Sequence, residues 1–346
     1  MSISINLFDY HLSPERIAQQ SIEPRDVARM LVLDRLSGAR EHRQIMDLLT
    51  FLRSGDVLVF NNTKVFKARL TAQLRGRTYE LFLLRCLHGG VETSRWKVLI
   101  KRLRRFHLGE TFFVGSFPAR LVRLYEDESG EVEIEIEASE AEVFAYCEVS
   151  GHIPIPAYIA DEPKAFEDYQ TVYASEVGSV AAPTAGFHFT ERLLDQLSAI
   201  GVEKTFVTLH VGLGTFQPVK TETLEEHHLH HEWVEVSSGA VEVIKRAKTE
   251  GRRVIAVGTT TVRTLEGVAK LKGDLEPYVG DVNLFITPGF DFKIIDGLLT
   301  NFHLPKSTLL ALVSAFAGRE LVLEAYQEAV EKEYRFFSFG DAMLIL

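Results

Sequence analysis

Between Thr63 and about Ser150 six short runs follow one another in which apolar and polar residues alternate: ARLTAQL, YELFLLRC, RWKVLIK, TFFVG, ARLVRLY and EVEIEIEA. Alternation with period two turns successive side chains to opposite faces, and short strands at regular spacing predict a small antiparallel barrel or sandwich. In the last run Glu131, Glu133, Glu135 and Glu137 alternate with Val132, Ile134 and Ile136, so one face is expected to be acidic and solvated and the other core. The flanks follow another rule. On the N-terminal side a short helix is expected over Pro14 to Gln20, a strand over 29–35 with its turn at Ser37-Gly38, a short helix near Met46 to Arg53, and a buried strand over 56–60. On the C-terminal side helices are expected over Phe166 to Ala174 and Thr190 to Ala199. After them come strand 204–212, helix 240–250, strand 253–258, helix 261–271, strand 282–287, helices 308–316 and 321–334, and a final strand. Such alternation predicts an α/β fold, a layered α/β body (1–61 and 151–346) with an inserted small antiparallel β-barrel (62–150).

Charge separates the two parts further. The chain of 346 residues carries a net charge of −10, yet Asn61 to Leu124 holds 14 Lys and Arg against Glu80, Glu92 and Glu110, a local excess of +11. The remainder is left at −21. A basic module on an acidic body fits a polyanion-binding appendage, since phosphate contacts need cations gathered in one place. Arg95-Trp96-Lys97 and the run Lys101 to His107 interleave basic and aromatic residues, as nucleic-acid binders do and as strands also do for structural reasons. Two cysteines without CxxC spacing, Cys86 and Cys147, argue against a disulfide framework and suggest a reducing compartment. No basic, apolar leader opens the chain and no long apolar run follows, so a cytoplasmic protein is expected, with no membrane contact and acting as a monomer.

Four stretches place reactive side chains beside small ones. In YQTVYASEVGSVAAPTAGFHFT, 169–190, Thr184, Gly186 and His188 read as a site floor, or equally as a small-residue turn feeding the helix at Thr190. In TLHVGLGTFQPV, 208–219, Gly212 and Gly214 free the backbone beyond a strand, with His210 and Thr215 beside them; neither the Rossmann nor the Walker pattern is present. GTTTVRTLE, 258–266, sets Thr259, Thr260 and Arg263 at a helix start, suited to a carboxylate or phosphate. TNFHLPKSTLL, 300–310, offers Asn301, His303 and Lys306. The cluster EEHHLHHEW, 225–233, pairs His227 with His231 on a helix face, or His228 with His230 on a strand face. It lacks an HExxH motif, so no metal is expected.

Together these stretches, with YRFFSFGDAM near the end and RDVARMLVLDR and GDVLVFNNTKVFKARL near the start, resemble the S-adenosylmethionine:tRNA ribosyltransferase-isomerase family of queuosine biosynthesis over essentially the whole chain. The resemblance implies an α/β body with an inserted β-barrel. It also implies transfer and isomerisation of the ribosyl moiety of S-adenosylmethionine onto 7-aminomethyl-7-deazaguanine at the tRNA wobble position. The product is epoxyqueuosine-tRNA, with release of adenine and methionine. S-adenosylmethionine is then a cosubstrate, with no permanently bound cofactor and no metal. Lys67 and Ala157 stand where prolines are common in the family, and Arg75-Gly76-Arg77 replaces a glycine pair. The family's H-x-M-H-x-E pattern is matched at His227, His230 and Glu232.

Such chemistry needs a base beside the sulfonium, and a histidine suits it. His188, His210 and His303 are the candidates. Arg263, Thr259 and Thr260 are expected to hold the methionine carboxylate, and Asn301, Lys306 and Asp341 the ribose hydroxyls or adenine edges. Thr184, Gly186, Gly212, Gly214 and Thr215 shape the cosubstrate site. Arg25, Lys64, Arg69, Arg102 and Arg104 are expected to contact tRNA phosphates. The other readings are a tRNA-binding module with inactive site motifs and a metallohydrolase using the 227–231 histidines.

Overall fold

The computed structural model of the chain describes residues 2–125, 130–156, 158–159, 166–212, 221–227 and 231–346. Two compact units are present, one of Met1–Thr63, Pro163–Glu176 and Pro183–Leu346, the other of Lys64–Glu162 and Val177–Ala182. In chain order the strands are β1 (Arg29–Leu33), β2 (Arg40–Gln44), β3 (Val57–Asn61), β4 (Thr63–Val65), β5 (Arg69–Leu74), β6 (Arg77–Gly89), β7 (Ser94–Ile100), β8 (Thr111–Val114) and β9 (Phe117–Leu124). They continue with β10 (Glu131–Ile136), β11 (Glu176–Ser179), β12 (Glu203–Leu209), β13 (Glu232–Val236), β14 (Val254–Val257), β15 (Tyr278–Val282), β16 (Gly297–Asn301) and β17 (Ala342–Ile345). The α-helices are α1 (Leu48–Phe51), α2 (Glu140–Ser150), α3 (Glu191–Ala199), α4 (Ser238–Thr249), α5 (Thr259–Lys272), α6 (Thr308–Ala317) and α7 (Arg319–Glu331).

The first unit is built on one sheet with strand order β15-β13-β12-β3-β14-β16-β17-β1-β2. Its centre is parallel: β12 pairs with β3, β3 with β14, and β14 with β16 in the same direction. β17 then runs antiparallel to β16 and parallel to β1. Central parallel strands are covered on both faces, so they read as unbroken apolar runs, and VLVFN and VIAV are buried at every position. Leu58 and Phe60 pack with Leu193, Leu194 and Leu197 of α3. Alternation turns Val57 and Val59 to the opposite face, and α4 and α5 lie against β3, β12 and β14.

The second unit is a closed antiparallel barrel, β10-β7-β6-β5-β8-β9, and each of the six alternating runs supplies one strand. Trp96 fills its interior with no exposed surface. Its Nε1–H donates to Ser94 Oγ at 2.8 Å, and that hydroxyl donates to the Ala138 carbonyl at 2.8 Å, so the one polar atom of the ring is satisfied inside the core. Helix α2 starts at a capping box formed by Ser139 and Glu142, and its Phe144 meets Trp96 and Phe66 edge-on.

Several expectations are corrected. Pro14 to Gln20 and Phe166 to Ala174 form only 3-10 turns, Pro14–Arg16 and Phe166–Tyr169. The run 282–287 is not a strand: pairing with β13 falls on Tyr278–Val282, while Leu284 and Ile286 are buried without a ladder. Apolar character there marks burial alone. The acidic face of β10 is not simply solvated either. Glu133 is buried and Glu131 and Glu135 half-buried, each facing cations on neighbouring strands. Among the described residues no helix is long and apolar enough to cross a membrane.

Glu266 of α5 is buried, and its carboxylate accepts from the backbone N–H groups of Lys293, Ile294 and Ile295 at 2.9–3.1 Å. Glu266→Ala would orphan all three donors and should cost about 3 kcal/mol or more in urea unfolding. Glu266→Gln, which keeps one acceptor oxygen, should cost less.

Candidate functional site

In open α/β sheets, ligands bind beyond the carboxyl ends of the parallel strands, where helix N-termini and freed backbone groups converge. Here those ends are Asn61 of β3, Leu209 of β12, Val257 of β14 and Asn301 of β16. β17 begins at the same edge, because Ala342 pairs with Asn301 and also with Met30 at the start of β1. Most of the candidate residues therefore fall along one edge of the body sheet.

Asn61 organises one half of that edge. Its Nδ2 donates to the Leu209 carbonyl at 3.0 Å and to Thr260 Oγ1 at 3.3 Å. Its Oδ1 accepts from the N–H groups of Thr63 and Leu209 at 3.1 and 3.0 Å. Thr63 Oγ1 in turn lies 2.7 Å from His210 Nδ1, and the half-buried His210 ring stacks on Trp233 at 4.8 Å. A single buried amide thus links the ends of β3 and β12 to the first turn of α5, and sequence reasoning missed it inside FNNTK. Gly258, which begins α5, has φ +87°, a conformation that favours glycine, and a Cβ there would lie 3.5 Å from Ala185. The 184–188 turn is thereby set against Thr259 and Thr260.

Asn301 and Asp341 organise the other half. Asn301 Nδ2 donates to the carbonyls of Phe337 and Ser338 at 2.9 and 3.3 Å. Asp341 accepts from the N–H groups of Arg29 and Arg335 at 3.0 and 2.8 Å. Asp341 and the Asn301 amide nitrogen are spent on folding the 335–341 loop over the edge, so Asp341 acts on backbone rather than standing open to a ribose. The loop borders a narrow cleft, with about 10 Å³ of space for a water-sized sphere, together with Ile22, Arg25, Phe187 and His188. His188 is buried and its Nε2 has no hydrogen-bond partner among the described residues. Burial, then the positive charges of Arg335 and Arg25, push its pKa down to about 4, against a smaller opposing contribution from the Asn301 side chain. His303 is pushed down to about 3 by burial alone. It sits among Tyr10 and Tyr326, with its Nε2 3.0 Å from Thr300 Oγ1.

Other candidates are engaged differently from the sequence reading. Gly186 admits Tyr173 and Thr171 rather than a ligand, since a Cβ there would meet the Tyr173 hydroxyl at 1.9 Å. Thr184 opens that turn, half-exposed. Arg263 is buried against the carboxylate of Glu232. Lys306 Nζ lies 3.0 Å from Asp9. Gly212 is half-buried, with no described residue within 4 Å of a Cβ built on it, while Gly214 and Thr215 lie outside the described residues. His227 and His231 are described and His228 and His230 are not; among the described residues no group of three or more His, Cys, Asp or Glu is placed to hold a metal.

The basic residues divide by their partners. Arg25 is a staple: its amino nitrogens donate to the carbonyls of Gln170, Glu167 and Asp168 at 2.8, 3.3 and 3.2 Å. On the barrel wall Lys97 pairs with Glu131 at 2.8 Å, Arg123 with Glu133 at 3.3 Å, and Arg95 and Arg120 with Glu135 at 3.4 and 3.0 Å. Arg69 faces Glu80 at 3.5 Å. Lys64, on β4, is half-buried. In the loop between β7 and β8, Lys101, Arg102, Arg104 and Arg105 are exposed and form no ion pair with a described residue. Arg102 holds φ +62° there.

Polar side chains gathered at the carboxyl edge of a parallel sheet define a ligand-binding α/β protein. The chain belongs to the queuosine biosynthesis protein family, whose description "Queuosine biosynthesis protein" it matches over residues 5–345. It is 46% identical over 348 aligned positions to an S-adenosylmethionine:tRNA ribosyltransferase-isomerase of Thermosynechococcus vestitus, covering 99% of this chain and 96% of the relative. It is 48% identical over 341 positions to the protein of that name from Desulfitobacterium hafniense, covering 98% of each. The crystal structure of an S-adenosylmethionine tRNA ribosyltransferase from Thermotoga maritima is similar with a TM-score of 0.58 and 38% identity, covering 98% of this chain and all of that one.

The two buried histidines make stability acid-sensitive. Their folded pKa values lie below the ordinary 6.5, so the unfolded chain binds more protons in between. Their contribution is complete above pH 6.5 and is lost as pH falls, at about 1.4 kcal/mol per pH unit for each. In urea unfolding between pH 6 and 4.5, His188→Phe should lower the pH slope by about that amount.

Proposed function

We propose that this chain acts as an S-adenosylmethionine:tRNA ribosyltransferase-isomerase. It moves the ribosyl moiety of S-adenosylmethionine onto the aminomethyl group of 7-aminomethyl-7-deazaguanine at the tRNA wobble position. Isomerisation leaves epoxyqueuosine, adenine and methionine. The observation that carries this reading is identity of 46% and 48%, over nearly the full length, to two proteins of that name. A cytoplasmic location fits action on tRNA.

Of the three histidines, His210 is our choice for the base that takes the proton beside the sulfonium. Proton transfer is fastest when the catalytic pKa lies near the working pH, and burial holds His188 and His303 well below it. In the tautomer whose Nδ1–H donates to Thr63 Oγ1, the basic lone pair of His210 lies on Nε2. Thr259 and Thr260 bring the first turn of α5 to the same edge, suited to an anionic group.

On the barrel we assign the phosphate contacts to the β7–β8 loop, because the wall cations face carboxylates, Lys97 and Arg123 one each and Arg95 and Arg120 a shared Glu135. Phosphate contact releases condensed counterions, so each lost contact reduces the salt slope of binding by about 0.7 to 1. Arg102→Ala with Arg104→Ala should lower the slope for tRNA by about 2, whereas Lys97→Ala with Arg123→Ala, whose cations each face their own carboxylate, should leave it nearly unchanged. Incubation with S-adenosylmethionine and 7-aminomethyl-7-deazaguanine-containing tRNA should release adenine, and His210→Ala should slow that release by about 100-fold or more. Binding of both substrates with no adenine released by the unaltered chain would refute the catalytic reading.

A further inference from the structure

His210 follows Leu209, the last residue of β12, and contacts with Trp233 and Thr63 fix its ring. Its backbone N–H donates to the Trp233 carbonyl at 3.0 Å, and the imidazole lies on the Trp233 ring with planes 12° apart. Its Nδ1 lies 2.7 Å from Thr63 Oγ1. The stack and the hydroxyl constrain different things. Stacking holds the plane of an imidazole but is nearly indifferent to a half-turn about χ2, a broad and roughly two-fold torsion. That half-turn puts Cδ2 where Nδ1 was and Cε1 where Nε2 was. A hydrogen bond to Nδ1 is lost in the flipped ring, so the Thr63 hydroxyl is the contact that distinguishes the two orientations.

The hydroxyl is itself held in place. Asn61 and Thr63 have no exposed surface, and Asn61 Oδ1 accepts from the N–H groups of Thr63 and Leu209 at 3.1 and 3.0 Å. One oxygen thus ties the residue that bears the hydroxyl to the neighbour of the residue that bears the ring. Beside it the Asn62 N–H donates to the Val207 carbonyl at 3.0 Å, and Thr208 Oγ1 donates to Asn62 Oδ1 at 2.8 Å, closing β3 onto β12 up to this point. We infer that Thr63 is a positioning residue for the reaction: its hydroxyl accepts from Nδ1–H, selects one flip and one tautomer of the His210 ring, and so presents the Nε2 lone pair to the proton that is removed. Accepting is the role that survives the step, because the imidazolium formed at Nε2 still carries its Nδ1–H. A Thr63 hydroxyl donating to Nδ1 would instead leave the neutral ring protonated on Nε2, with no lone pair there. The proton passes from the carbon beside the sulfonium to Nε2 and its electron pair stays on that carbon; Thr63 neither gives nor takes a proton. The inference rests on the ribosyl-transfer reading with His210 as the base.

The test follows adenine release in single turnovers with saturating 7-aminomethyl-7-deazaguanine-containing tRNA, over a range of S-adenosylmethionine concentrations. Thr63→Val keeps the shape of the side chain and removes the acceptor, so the maximal rate should fall by about ten-fold or more while the half-saturating concentration of S-adenosylmethionine stays within about two-fold. Thr63→Ser restores the hydroxyl and should return the rate to within about three-fold of the parent. Lost packing would not give that rescue, because serine is the smaller side chain. In the parent chain, labelled with nitrogen-15 at histidine and studied where the ring is neutral, His210 should carry its proton on Nδ1, with its signals assigned by their absence from His210→Gln. That measurement needs no change at Thr63 and serves if Thr63→Val does not fold. Thr63→Val as fast as the parent, a loss confined to the half-saturating concentration, Thr63→Ser as slow as Thr63→Val, or a neutral His210 protonated on Nε2 each overturns the inference and leaves the ribosyl-transfer reading in place. A parent chain that releases no adenine overturns both.

Discussion

At the carboxyl edge of the central sheet the chain leaves its ladder while still buried, and every backbone N–H and C=O freed there needs a partner. Asn61, Asn301 and Asp341 supply these partners. All three are buried, and together they engage backbone groups of Thr63, Leu209, Arg29, Arg335, Phe337 and Ser338. The placement of the other candidates follows. Thr63 reaches His210 because Asn61 fixes its N–H, and His188 faces a cleft because Asn301 and Asp341 hold the 335–341 loop over the edge. Phe337 holds φ +73° within that loop, a conformation that costs a non-glycine residue energy and persists only when its surroundings enforce it.

Electrostatics sorts the rest. Inside the body, cations meet carboxylates or carbonyls: Arg263 meets Glu232, Arg253 meets the buried Asp56, and Arg25 meets three carbonyls. Exposed surface pairs contribute little to stability, but they decide how much charge a surface shows to a polyanion. On the barrel, β10 returns negative charge to the strands beside it, so the local excess of +11 between Asn61 and Leu124 is not spread evenly. Part of it lies in the β7–β8 loop, where Lys101, Arg102, Arg104 and Arg105 have no acidic partner among the described residues.

Much of the fold was legible in the chain because the signals are local. All six alternating runs became barrel strands, and the unbroken apolar runs at β3 and β14 became the buried parallel centre. The polar strands were not legible: REHRQ of β2 lies at a sheet edge with one face wet, so its residues carry no apolar pattern. GLLTN of β16 was hidden within a motif read for its chemistry. Of the candidate site, the histidines and threonines were named from their motifs. Asn61 was not singled out, because it gains its role from partners 148 and 199 residues away.

The sequence by itself determined the two kinds of architecture, the family, and the segments that carry chemistry, since periodicity and motif order are properties of neighbouring residues. Only the tertiary structure decided which polar groups remain available. Arg25, Arg263, Lys306 and Asp341 all looked open to a substrate, and all are engaged within the protein. Burial keeps His188 and His303 neutral to a pH well below the ordinary histidine value, whereas His210 is only half-buried. Desolvation and pairing are set by what folds against a residue from elsewhere in the chain, and no local pattern records it.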